Sequence, residues 1–147
     1  MNMRRRIGIQ LTAALAAWTA GFVPAAVPPP TLVVVANAET PVLSETELQK
    51  IYSGKLIRVD GRPVIPVNLS KGSALRNQFM ERILSQNSDK YIAYWTVREY
   101  NGLGSPPREF ASVAEQLEYI RTTPGAVGYV DANTEVAAGL KLLMRKP

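Results

Sequence analysis

The segment from Pro66 to Arg76, Pro-Val-Asn-Leu-Ser-Lys-Gly-Ser-Ala-Leu-Arg, carries the residue types best suited to holding an anion. Its order predicts a buried strand, a Ser/Gly turn and the first turn of an amphipathic helix. The first N–H groups of a helix lack internal acceptors and lie at its positive end, so phosphate or sulfate can bind there without a metal. The candidate contacts are Asn68, Ser70, Gly72, Ser73, Ala74 through its backbone N–H, and Arg76.

Ser73 also has a simpler interpretation. Serine is one of the preferred residues at the N-cap of a helix, where its hydroxyl accepts a backbone N–H. A Gly-Ser turn before a helix is therefore common, and the turn could be purely structural.

Histidine and cysteine are absent from all 147 residues. Their absence excludes Ser-His-Asp and Cys-His catalysis, zinc sites built on His or Cys, and disulfides. The nearest nucleophile and base pairs, Ser53 with Lys55 and Ser70 with Lys71, are too close in sequence to reach a catalytic geometry. Gly54-Lys55 is not a phosphate loop, because Leu56 stands where Ser or Thr is required. We therefore predict a non-enzyme with no catalytic residues, no metal and no cofactor.

The N-terminus has the pattern of an export signal. Three arginines at positions 4 to 6 precede a charge-free, Ala/Leu-rich stretch from Ile7 to Val27. This pattern predicts a signal peptide over 1–26, cleaved after Ala25 or Ala26, and a periplasmic or secreted protein. Ala38 ends a second small-x-small site, but cleavage there would cut the first predicted strand. An uncleaved membrane anchor is the other alternative, although polar and turn-forming residues interrupt the stretch.

The net charge of +5 comes from 17 basic and 12 acidic residues. Without the three N-terminal arginines, fourteen basic residues face twelve acidic ones, and they form no run or stripe. Nucleic-acid binding is therefore not expected. A Pro-rich linker over 27–30 precedes a domain over 31–147, which at roughly 120 residues is long enough to bury its own core.

Strand signals in this domain are apolar or β-branched runs bounded by turn residues. We predict strands at 31–37, 64–67, 126–130 and 140–144. Asp60-Gly61 predicts a tight turn between 56–59 and the strand at 64–67. Pro63 and Pro66 indicate that this strand lies at a sheet edge or begins late.

Helix signals alternate with the strands. Two capping boxes begin helices, one at Ser44 with Glu47 and one at Ser112 with Glu115. A helix is also predicted over 74–84, and Ser88 is predicted to cap another, with Tyr91, Tyr94 and Trp95 as core residues. This alternation predicts an α/β protein with a layered α/β/α sandwich, one sheet covered by helices.

Three segments in order resemble a known family. They are Leu-Gln-Lys-Ile-Tyr-Ser-Gly-Lys at 48–55, the Gly72-Ser73 turn with its helix through Phe79, and Thr-Pro-Gly-Ala-Val-Gly-Tyr-Val at 123–130. Together they resemble the substrate-binding proteins of phosphate ABC importers, and more closely the short PBP-like members of that superfamily. The resemblance covers 31–130 and implies the fold of one lobe of a type II periplasmic binding protein.

The resemblance also implies a phosphate site in which some of the family's ligands are missing. Family members take phosphate ligands from two lobes: an early Gly/Ser/Thr-rich loop, an acidic residue and an Arg-x-x-Gly-Ser-Gly-Thr-like turn. Gly72-Ser73 matches that turn, but Ala74-Leu75 replaces Gly-Thr, and Leu69 stands near the position of the arginine. Arg76 follows the turn instead. A single lobe is a half-site open to water, so weak binding is expected unless a homodimer or another subunit completes the pocket.

Two functions remain open at this point. The first is an exported solute-binding module for phosphate or a similar oxyanion, with an ABC importer permease or another periplasmic or envelope protein as a partner. The alternative is a periplasmic protein-interaction or sensor-accessory domain that kept the fold and lost the ligand. Its surface would be the aromatic helix after Ser88 or the loop from Asn101 to Arg108.

Overall fold

The structure is a computed structural model that describes Gly21, residues 23–27 and residues 31–147. The predicted signal peptide over 1–26 and linker over 27–30 lie for the most part outside the described residues, so these boundaries stay predictions. Within the described part, no helix combines the length and the apolar character needed to cross a membrane.

Residues 31–147 form alternating strands and helices. The strands are β1 (Leu32–Asn37), β2 (Arg58–Val59), β3 (Arg62–Pro63), β4 (Ile65–Leu69), β5 (Arg108–Phe110), β6 (Ala126–Asp131) and β7 (Leu140–Lys146). The helices are α1 (Glu45–Tyr52), α2 (Ala74–Arg82), α3 (Ser88–Tyr100) and α4 (Val113–Thr122).

The main sheet has five strands in the order β5-β4-β6-β1-β7, and β2 pairs with β3 in a separate hairpin. β4 runs parallel to β5 and β6, whereas β1 is antiparallel to β6 and β7. A parallel pair needs a crossover connection, and α2, α3 and α4 supply these crossovers. The mixed α/β architecture confirms the predicted fold class.

Helices cover both faces of this sheet because alternate residues of β1 point to opposite sides. Leu32, Val34 and Ala36 belong to a core shared with α1 and α2. Val33 and Val35 belong to a second core shared with α4. All six residues of β1 are buried, which is typical of a strand covered on both faces. α3 packs on α2 through a third, smaller core.

β4 begins at Ile65 and lies inside the sheet. The prediction of an edge strand is therefore wrong, and the prediction of a late start is correct. Pro66 is tolerated there because the two neighbours of β4 pair with different halves of it. β6 pairs with Ile65 and Pro66, whereas β5 pairs only from Val67 onward. Pro66 has no N–H, and it needs no hydrogen bond to β5.

Two local signals are confirmed and one is corrected. In the α1 capping box, the Ser44 N–H donates to Glu47 Oε2 at 2.8 Å, and Ser44 Oγ accepts the Glu47 N–H at 3.2 Å. Asp60 and Gly61 both adopt positive φ, as a tight hairpin turn requires. Ser88 is the first residue of α3 rather than its cap, because the Asn87 side chain accepts the N–H three residues on.

Candidate functional site

The Ser/Gly turn joins the C-terminal end of β4 to the start of α2. Gly72 adopts a φ of +87°, a left-handed conformation that glycine reaches without strain. Ser73 is the N-cap of α2: its Oγ accepts the Arg76 N–H at 3.3 Å, and its carbonyl accepts the Asn77 N–H at 3.0 Å. The capping role of Ser73 is therefore confirmed.

Ala74 and Leu75 are the first two residues of α2, so their N–H groups have no carbonyl one turn earlier within the helix. No described residue accepts a hydrogen bond from either of them. The Ser73 N–H, in contrast, donates to Ser70 O at 3.2 Å. Gly72 and Ala74 are exposed. The turn thus leaves two backbone donors available at the positive end of the α2 dipole.

Asn68 lies beneath the turn, where it is 1% exposed. Its Oδ1 accepts the Tyr129 hydroxyl at 3.0 Å, and its Nδ2 donates to the Tyr91 hydroxyl at 3.3 Å. The Leu69 N–H donates to Tyr129 Oη at 3.1 Å. Burial raises the pKa of Tyr91 to about 12 and raises the pKa of Tyr129 above its ordinary value. Both phenols are therefore neutral hydrogen-bonding groups at neutral pH, and they anchor the end of β4.

Arg76 also points inward, and its exposure is 1%. Nη1 donates to Leu69 O at 2.8 Å and to Glu109 Oε1 at 2.5 Å. The guanidinium lies 5.9 Å from the centroid of the Tyr91 ring. None of the described residues accepts a hydrogen bond from the buried Nε. Glu109 neutralises much of the Arg76 charge from β5.

Ser70 ties the turn to β5. Its N–H and its Oγ both donate to Phe110 O, at 2.9 Å and 3.1 Å. Of the six predicted contacts, Ser70, Gly72, Ser73 and Ala74 form the outer side of the turn, whereas Asn68 and Arg76 support it from the core. Glu109 was not predicted from the sequence, because nothing in its local pattern marks it as the partner of an arginine 33 residues earlier.

A cavity of about 260 Å³ opens beside the turn. Lys71 and Arg76 border it from the turn, and one face of α3, including Tyr91 and Trp95, forms another wall. Glu109 borders it from β5. No group of three acidic side chains that could hold a metal ion occurs among the described residues.

Comparisons with known proteins agree with this fold. No protein-family model matches the chain, and no curated protein sequence matches it. It is similar to the crystal structure of an ABC-type phosphate transport receptor from Vibrio cholerae, with a TM-score of 0.58 and 16% identity over 78% of this chain and 46% of that one. PstS from Borrelia burgdorferi gives a TM-score of 0.57 and 16% identity over the same shares of the two chains.

The chain thus spans slightly less than half the length of the receptors it matches. At this level of identity the similarity concerns the fold alone. The protein has a mixed α/β fold like one lobe of a periplasmic binding protein.

Proposed function

We propose that this protein is an exported solute-binding domain that binds phosphate or a similar small oxyanion weakly at the turn between β4 and α2. Its contacts are Gly72, Ser73 and Ala74, together with the Leu75 N–H. Ser70, whose N–H and Oγ both donate to Phe110 O, supports the turn from behind, as do Asn68 and Arg76 from the core. The phosphate transport role of the matched receptors supports the choice of ligand. An importer permease is the partner that this role requires.

The observation that carries the proposal is the pair of unoccupied N–H groups on Ala74 and Leu75. They point along the start of a nine-residue helix, where its dipole favours negative charge. Lys71, in the same turn, adds an exposed positive charge. These groups together can bind an oxyanion without a metal.

Two features limit the affinity. The outer side of the turn is open to water, which weakens each hydrogen bond to the anion. The Glu109 carboxylate, paired with Arg76 at 2.5 Å, cancels the nearest buried positive charge and repels an approaching anion. We therefore expect a dissociation constant in the millimolar range for inorganic phosphate, about −4 kcal/mol of binding free energy.

Ala74→Pro tests the site with little risk to the fold. Proline is well accepted at the first position of a helix, and it removes the N–H of that residue. Ser73 before it already has an extended backbone with ψ of 125°, as a residue before proline requires. Calorimetric titration with phosphate at constant ionic strength should show severalfold weaker binding for Ala74→Pro than for the parent protein.

Ser88→Pro is the matched control, because Ser88 is the first residue of α3 and follows an equally extended N-cap. It should bind phosphate like the parent. Glu109→Gln should bind more tightly because it removes the repelling carboxylate, whereas Glu118→Gln, an exposed site on α4 with the same change of net charge, should not. Equal phosphate affinity in Ala74→Pro and Ser88→Pro, or no binding by the parent at millimolar phosphate, contradicts the proposal.

One observation favours the second candidate function, a periplasmic interaction domain. Val97, Tyr100 and Leu103 are 60%, 91% and 57% exposed at the end of α3 and in the turn that follows. Adjacent exposed apolar side chains are typical of contact surfaces. Sedimentation of the parent and of Leu103→Ser tests self-association through this surface. A dimer that Leu103→Ser weakens supports this role, and a monomer at all concentrations argues against a homodimer.

A further inference from the structure

We infer that the ligand of this domain is an organic oxyanion, whose anionic head group binds the turn and whose apolar body lies in the cavity along α3. This inference rests on the proposed function of the turn and names the substrate class for the same site. It follows from the shape of the cavity, from the difference in charge between its two ends and from one unsatisfied buried donor.

The cavity extends along α3 away from the turn. Tyr91, Ile92, Trp95, Thr96 and Glu99 line it, at the spacing of a single helix face. From Tyr91 to Glu99 this face is about 12 Å long. The Tyr91 end lies against Arg76, whose guanidinium is 5.9 Å from the centroid of the Tyr91 ring.

The two ends of the cavity differ in charge. Lys71 and Arg76 provide positive charge at the turn, although Glu109 offsets part of it. Ile92, Trp95 and Pro106 supply apolar surface beyond the turn. Glu99 lies at the far end and disfavours a second negative charge there. A ligand with one anionic head and an uncharged or cationic body matches this lining.

Arg76, at the border of the cavity, carries a buried donor that none of the described residues satisfies. This donor, Nε, belongs to a side chain that is 1% exposed, and no acceptor for it occurs in the part of the chain that the structure describes. A buried unsatisfied donor is unusual in a folded protein and often marks a position that a ligand or water fills. Arg76 borders the cavity, so a polar group of a ligand bound there lies close to this side chain.

The volume of the cavity favours an organic ligand over inorganic phosphate. The cavity, at about 260 Å³, is large enough to hold several waters. Phosphate at the turn leaves most of this space filled with water against Trp95 and Ile92. An apolar body attached to the head group would displace that water and remove apolar surface from solvent.

Calorimetric titration of the full chain with phenylphosphonate and with inorganic phosphate, at matched ionic strength, tests the inference. We expect phenylphosphonate to bind about tenfold more tightly, a difference of about 1.4 kcal/mol. Thr96→Phe should abolish this advantage and leave phosphate affinity unchanged, because Thr96 is exposed and lines the cavity. Ala93→Phe, an exposed position of α3 that does not line this cavity, is the matched control and should keep the advantage.

The outcomes separate the two proposals. Equal affinity for the two anions, or an advantage that survives Thr96→Phe, overturns the organic ligand and leaves phosphate binding at the turn intact. Binding of neither anion by the parent overturns the proposed function, and the inference fails with it. An advantage that Thr96→Phe removes and Ala93→Phe preserves supports the inference.

Discussion

Replacing Tyr129 by Phe should destabilise the fold by about 2–6 kcal/mol, although the change removes a single oxygen. The hydroxyl accepts the Leu69 N–H at 3.1 Å and donates to Asn68 Oδ1 at 3.0 Å. Each buried polar group left without a partner costs about 1–3 kcal/mol, and this variant leaves two. The ring stays stacked on Phe79, with 4.1 Å between centroids, so no packing is lost.

Urea unfolding followed by circular dichroism measures this change. The midpoint should fall and the slope should stay constant, because the surface exposed on unfolding is nearly the same. Tyr100→Phe is the matched control: Tyr100 is 91% exposed, and its variant should lie within about 0.5 kcal/mol of the parent. A loss below about 1 kcal/mol for Tyr129→Phe would refute the reasoning, since Leu69 and Asn68 would then have other partners.

Three further predictions concern stability. The pKa of Tyr91 is about 12 in the folded protein and near 10 in the unfolded chain, so the free energy of unfolding should be constant below about pH 10 and fall as the pH rises to 12. The expected fall is on the order of 3 kcal/mol, and urea midpoints measured across this range would reveal it. A midpoint independent of pH there would contradict the burial argument. Ser44→Ala should cost about 1 kcal/mol by urea unfolding because it removes the capping box, and an unchanged midpoint would mean that the cap is dispensable. Gly125→Ala should cost more than Gly102→Ala in thermal unfolding, because both have positive φ but only at Gly125 would the new Cβ lie 2.3 Å from Pro63 O; equal losses would contradict this.

Local signals predicted most of the fold correctly. A capping box depends on residues three apart, and a tight turn on two adjacent residues, so the start of α1 and the Asp60-Gly61 turn can be predicted without knowledge of the rest of the chain. The β-branched run of β1 likewise predicted a strand buried on both faces. Ser88 was predicted as the cap of α3, and Asn87 is the cap in the structure; asparagine and serine are equally good capping residues, so the sequence alone cannot choose between them.

The missed features all depend on contacts between distant residues. β5 has three residues, too few for a periodic signal, and it exists because Val67 to Leu69 pair with it. Pro66 suggested an edge strand because the division of β4 between two neighbours cannot be predicted from its own residues. Glu109 on β5 and the carbonyl of Leu69 hold the Arg76 guanidinium in the core, and neither partner could be predicted from the residues around Arg76.

The central claim is that the start of α2 binds an oxyanion through its backbone. A titration of the isotope-labelled protein with phosphate, followed through the amide resonances in proton–nitrogen correlation spectra, tests it most directly. We predict that the amides of Ala74 and Leu75 shift most and approach saturation in the millimolar range. The amides that begin α1, α3 and α4 serve as internal controls and should shift little. Equal shifts at the starts of all four helices, or none at Ala74 and Leu75, would contradict the account.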